Sequence, residues 1–121
     1  MSWGWTPPRP FIDRARRMGG DVAGLSFVSG DGRELPFEDG SFDAVVCHTS
    51  LCHIPGPDAV LAEAHRMTAE GGLLAVFDGD YATTTVATAE ADPLQACAEA
   101  QSRRVHDRML VRRLQPLVRA E

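Results

Sequence analysis

The chain contains no lysine; its twelve basic residues are all arginine. That absence excludes Schiff-base chemistry and removes the cation of a Gly-Lys-Ser/Thr phosphate loop. No Gly-x-Ser-x-Gly nucleophile turn is present either. No apolar run approaches the roughly 20 residues of a bilayer span. The opening Met1–Pro10 lacks the hydrophobic stretch of a signal peptide. A membrane partner is therefore not expected, and the expected location is cytoplasmic. Cysteine is scarce, and its three copies (Cys47, Cys52, Cys97) are an odd number, so reduced thiols are expected rather than a disulfide framework.

Charge of one sign is also in short supply, since the net charge is −5. That balance argues against a nucleic-acid partner. Arg103, Arg104, Arg108, Arg112, Arg113 and Arg119 do crowd the last nineteen positions. Asp107 and Glu121 are interspersed among them and no aromatic residue is there to stack on a base, so a solvated helix face is the expected reading. With 44% hydrophobic and 24% charged residues, the composition is that of a folded domain and not of a disordered chain.

Residues 1–10 hold two tryptophans and three prolines, which predicts an irregular segment. Residues 11–121 then read as one partial domain. A short helix is predicted over Phe11–Met18, with Phe11, Ala15 and Met18 on one side. Three strands are predicted, at Leu25–Ser29, Phe42–His48 and Leu73–Phe77. The middle one, around Ala44-Val45-Val46, is apolar on both faces, as a buried parallel strand should be. Between the second and third strands, Pro55-Gly56-Pro57-Asp58 predicts a turn, with Asp58 capping a helix over Ala59–Met67 that Gly71-Gly72 stops. Further helices are predicted after Asp92-Pro93 and over His106–Val118, the latter bent or shortened by Pro116. Strands alternating with helices predict an α/β domain, a partial doubly wound (Rossmann-like) fold with about three parallel strands.

The stretch Phe27-Val-Ser-Gly-Asp-Gly-Arg-Glu-Leu-Pro-Phe-Glu-Asp-Gly-Ser-Phe-Asp-Ala-Val-Val46 resembles the class I S-adenosylmethionine (SAM)-dependent methyltransferases of the ubiquinone/menaquinone-biosynthesis type. Leu51-Cys-His-Ile54 is similar to that family's Leu-His-His-Val segment, and Glu70-Gly-Gly-Leu-Leu-Ala-Val-Phe77 to its Pro-Gly-Gly strand entry. The resemblance implies methyl transfer from SAM to a small-molecule acceptor. It implies that Asp31 accepts a hydrogen bond from the adenine amino group and that the Gly32 backbone lies at the ring edge. Cys47 and His48 would line the adenosyl and methionyl side. Read alone, Asp31-Gly32 is a turn former first; the letters that follow it, Leu35-Pro36-Phe37 and Phe42-Asp43, favour the cofactor role.

The family's Gly-x-Gly-x-Gly strand-and-loop, and the acidic residue after its second strand, have no counterpart among these letters. Gly19–Gly24 follows a helix and not a strand, so it does not meet the structural requirement for such a loop. In the family's sheet the two missing strands lie between residues 25–29 and 42–48. The resemblance therefore implies either closure into a compact three-stranded sheet or pairing of the open edge with a second copy. A non-catalytic remnant serving as a dimerising or partner-binding module is the alternative to an enzyme.

Cys47-His-Thr-Ser-Leu-Cys52-His53 is two residues too long for haem attachment. Its cysteines are read as small core residues, and no metal is expected. His53 is the candidate general base at the methyl-transfer mouth, against a plain role at a helix start. Asp78-Gly-Asp-Tyr81 reads either as a wall of the acceptor pocket or as a capped turn.

Overall fold

The computed structural model describes residues 9–19, 21–85 and 94–119. Helix α1 spans Arg9–Gly19, two residues ahead of its predicted start. It takes in Pro10, which the first turn tolerates because its amide would have no helical acceptor there. The rest of the segment expected to be irregular, and the turn at Asp92-Pro93, lie outside the described residues.

Among the described residues two strands form, not three. Strand β1 (Phe42–His48) pairs in parallel with β2 (Thr68–Phe77). Residues 25–30 join no strand pair, so the predicted first strand is absent and the gap is not closed into a three-stranded sheet. The α/β class stands: helix α2 (Pro57–Met67) crosses over between the two strands. Its apolar Val60, Leu61, Ala64 and Met67 are all buried, as their spacing requires.

The cap of α2 differs from expectation. Gly56 takes the cap position at φ 73°, Pro57 opens the helix, and Asp58 sits in the first turn without a side-chain capping bond. A glycine is needed at that left-handed position. The chain passes straight from Met67 into β2, so Gly71-Gly72 does not stop the helix; it shapes an irregularity within the strand. Register shifts between Phe42↔Thr68 and Ala44↔Leu73. At Gly72 a Cβ would lie 2.8 Å from the Ala69 carbonyl oxygen and 2.9 Å from that of Asp43, so only glycine fits.

The core lies on one face of the sheet. Leu51, Cys52, Ile54, Val60, Leu61, Val105 and Leu110 form it, with Cys47, Val76, Tyr81, Leu114 and Leu117 packed against it. The predicted His106–Val118 helix is broken into a 3-10 turn (Leu110–Arg113) and a helix of six residues, Leu114–Arg119. Pro116 lies in the first turn of that helix, where its missing N–H removes the bond that would carry α geometry back into the preceding turn. Helix α3 (Leu94–Ser102) precedes this segment, and Leu114–Arg119 is α4.

The other face of the sheet is open. Strand alternation puts Ala44, Val46 and His48 there, beside Leu73, Ala75 and Phe77 of β2. Val46 is 65% exposed, Leu73 61% and Phe77 60%. The expectation that Phe42–His48 is buried on both faces is thus corrected; one face has no cover among the described residues. Phe11 and Met18 on the apolar side of α1 are exposed as well.

Candidate functional site

In open α/β sheets ligands gather beyond the carboxyl ends of the strands. Here β1 and β2 end side by side, His48 opposite Phe77. Their rings stack with centroids 4.9 Å apart on the open face. The ladder continues one residue further, Thr49 N–H donating to the Phe77 carbonyl at 2.7 Å. Thr49 pays for this with φ 50°, the left-handed region that β-branched residues avoid. Its hydroxyl lies 2.9 Å from His48 Nδ1. Backbone strain of this kind clusters at functional rims.

Cys47 and His48 do not share an environment. Neighbouring strand residues point to opposite faces, so Cys47 turns into the core while His48 turns out. Burial pushes the Cys47 thiol up from its ordinary value.

Asp31 and Gly32 form a tight turn closed by a bridge between Asp31 and Glu34. Arg33 grips the Asp31 carboxylate, Nε at 3.0 Å on one oxygen and a terminal nitrogen at 2.7 Å on the other. The Arg33 amide also donates to it at 3.0 Å. These bonds hold the carboxyl at about 2, so it is ionised at neutral pH. The turn-forming role read from the sequence is therefore filled. A carboxylate with roughly four lone-pair sites still has acceptor capacity left. Gly32 rests on the core, where a Cβ would meet Val60 at 3.6 Å and Ile54 at 3.9 Å.

The Leu35-Pro36-Phe37 loop that follows is pinned to α2. Glu63 accepts the Leu35 N–H at 2.7 Å, and Arg66 donates to Glu63, to Asp39 at 2.6 Å and to the Phe37 carbonyl at 2.9 Å. Hydrogen bonds from Arg66 and then from Leu35 lower Glu63 to about 2. The sequence reading passed over this pair; its only signal was a Glu and an Arg three apart on the polar side of a helix.

Asp78, just past β2, is 7% exposed and accepts the Cys52 N–H at 3.0 Å and that of Gly79 at 2.8 Å. It is a latch between the end of β2 and the 3-10 turn Leu51–His53. Cys52 is fully buried, and burial, then a hydrogen bond to Asp78, pushes its thiol up to about 12. No group of three or more His, Cys, Asp or Glu among the described residues is arranged to hold a metal ion. Asp80 accepts from Arg112 at 2.7 Å and from the Ala82 amide at 3.1 Å, which ties the turn to the C-terminal segment. Tyr81 meets the His53 ring edge-on at 6.0 Å. The structure thus brings His53, Asp78 and Tyr81 together, and places His48 on the other side of the sheet from Cys47. No helix among the described residues is long and apolar enough to cross a membrane.

Residues 3–76 match a family described as a methyltransferase domain. The chain is 44% identical over 54 residues to a ubiquinone/menaquinone biosynthesis C-methyltransferase of Rhizobium johnstonii, a stretch covering 45% of this chain and 21% of that one. The chain thus spans about a fifth of that relative's length. Among solved structures, a Bacillus halodurans C-125 protein assigned as a methyltransferase superposes with a TM-score of 0.68 at 21% identity, over 93% of this chain and 48% of that one. A SAM-dependent methyltransferase from Thermotoga maritima gives 0.56 at 23% identity, over 86% and 49%.

Proposed function

The chain belongs to the methyltransferase domain family, and from that premise we propose that it takes part in methyl transfer from SAM to a small-molecule acceptor beyond the carboxyl ends of β1 and β2. The observation that carries this reading is the matched segment itself. It contains the Asp31-Gly32 turn and ends one residue before β2 does.

On this reading Asp31 and Gly32 would take the adenine side of the cofactor. Asp31 is ionised and 28% exposed at its side chain, so it can accept an amino-group hydrogen bond in addition to those from Arg33. Gly32 presents backbone without a side chain, and His48 stands at the strand end on the open face. When bound, SAM supplies a methyl group on a sulfonium, an electrophile that reacts by in-line displacement. The chain's own part is to position the acceptor. His53, whose ring edge meets Tyr81, is our candidate for taking the acceptor's proton. A cytoplasmic location is part of the same proposal.

The test is calorimetric titration of S-adenosylhomocysteine into the chain and into Asp31→Ala. Binding in the micromolar range, weakened at least about tenfold in the variant (about 1.4 kcal/mol), is the expected result. No heat and no thermal stabilisation at millimolar ligand would remove the cofactor site.

A second reading has its own support: the uncovered apolar face bearing Val46, Leu73 and Phe77 suits a non-catalytic module that dimerises or binds a partner. On this reading light scattering across a concentration series shows reversible growth in mass, which Val46→Lys suppresses. A strict monomer at high concentration would exclude self-pairing.

A further inference from the structure

A cavity of about 280 Å³ lies between the turn at residues 81–84, helix α3 and Arg108. It sits just beyond the Asp78 latch, on the side where Tyr81 packs. Its walls are mostly polar, with Ala82 and Ala98 the aliphatic contributions.

Three observations bear on what it could hold. Two arginines, Arg103 and Arg108, line it against one carboxylate, Glu99. Arg103 is 3.8 Å from Glu99, which uses up that carboxylate. The Arg108 guanidinium makes no ion pair among the described residues, whereas Arg112 and Arg113 alongside are paired with Asp80 and Asp107. Among the lining residues, arginines thus outnumber carboxylates two to one.

Ser102 is the second observation. It is 8% exposed, one of the two buried polar residues among those described. It is one of the residues that line the pocket. A hydroxyl that lines a pocket can donate to a ligand there or to water. The third is Tyr81, whose ring lies over Gly79, where a Cβ would come within 3.2 Å of it. Burial holds the Tyr81 phenol above its ordinary value, so it too stays a donor.

We propose that this pocket binds the anionic group of a small carboxylate- or phosphate-bearing molecule, with Arg108 as the charge partner and Ser102 as a hydroxyl donor. Guanidinium groups pair with both anions through planar, two-pronged hydrogen bonds. The volume suits a small molecule, and the polar walls offer no apolar channel for a long hydrocarbon tail. Identifying that molecule with the methyl acceptor rests on the methyltransferase reading; the anion site itself does not.

The experiment is an NMR titration of the ¹⁵N-labelled full chain with benzoate, phenyl phosphate and, as the uncharged control, phenol. The Arg108 side-chain Nε–H and the Ser102 and Ala82 amides are expected to shift with at least one of the anions and not with phenol. The stronger anion tells carboxylate from phosphate. Arg108→Gln is expected to weaken that binding about tenfold or more and Ser102→Ala to weaken it severalfold, both leaving S-adenosylhomocysteine affinity unchanged. Equal binding of phenol, unaltered anion binding by Arg108→Gln, or no shift with any probe at millimolar concentration would overturn the proposal. Anion binding without S-adenosylhomocysteine binding would instead sink the methyltransferase reading and leave the anion site standing.

Discussion

At the scale of single residues, the most consequential side chain is Glu63. It joins the Leu35 amide to Arg66, and its side chain is 11% exposed. Its folded value of about 2 lies below the ordinary 4.5. The stability it contributes is therefore fully present above about pH 5 and lost as the pH falls through 4.5 towards 2. Glu63→Gln is expected to lower stability at neutral pH by about 1–3 kcal/mol and to flatten the acid side of the profile, as measured by urea unfolding between pH 2 and 7. The sequence marked Asp31-Gly32 as a candidate because those letters stood in a recognisable order. It could not show that Arg33 would close on Asp31 or that Arg66 would reach back to Asp39. Whether Arg33 turns back onto Asp31, two residues away, depends on how the loop folds, and a pair as far apart in the chain as Arg66 and Asp39 leaves no periodic mark. Thr49 escaped notice for a similar reason: nothing in its identity announces a left-handed backbone.

Among the elements, β1, α2 and β2 were legible because apolar spacing of two or near 3.6 residues is a local property. Residues 25–29 have the composition of a strand, but a strand needs a neighbour to pair with, and none adjoins it among the described residues. The His106–Val118 helix, expected to be bent or shortened by Pro116, is cut back to Leu114–Arg119, and in the turn before it packing of Leu110 into the core prevails over helix continuity. The glycines of β2 were read as a stop and are instead an accommodation. Gly72→Ala would drive a Cβ into two carbonyl oxygens and is expected to destabilise the domain by about 1–3 kcal/mol. Gly24→Ala, whose Cβ meets nothing within 4 Å although φ is 81°, should cost about 1–2 kcal/mol through backbone strain alone. Thermal melts of the two variants, each beside the parent chain, check both values.

For the molecule as a whole, the core is one-sided and one sheet face is open because, among the described residues, the packing elements lie on a single face of the sheet. The C-terminal segment is what completes the core: Leu110 is fully buried, the Asp107 N–H donates to the Cys52 carbonyl at 2.8 Å, and Arg112 reaches Asp80. This arrangement has a consequence in time. The β1-α2-β2 crossover is continuous in sequence, so its parallel pair closes over a short loop at modest entropic cost. The C-terminal clasp can bind only once that platform exists, which makes it the last part to form and the first to let go. Leu110→Ala should then speed unfolding while leaving the folding rate nearly unchanged in stopped-flow denaturant jumps. A slowed folding arm would mean instead that the clasp belongs to the nucleus. On the first outcome, the lifetime of the folded chain is set by how long its final fifteen or so described residues stay in place.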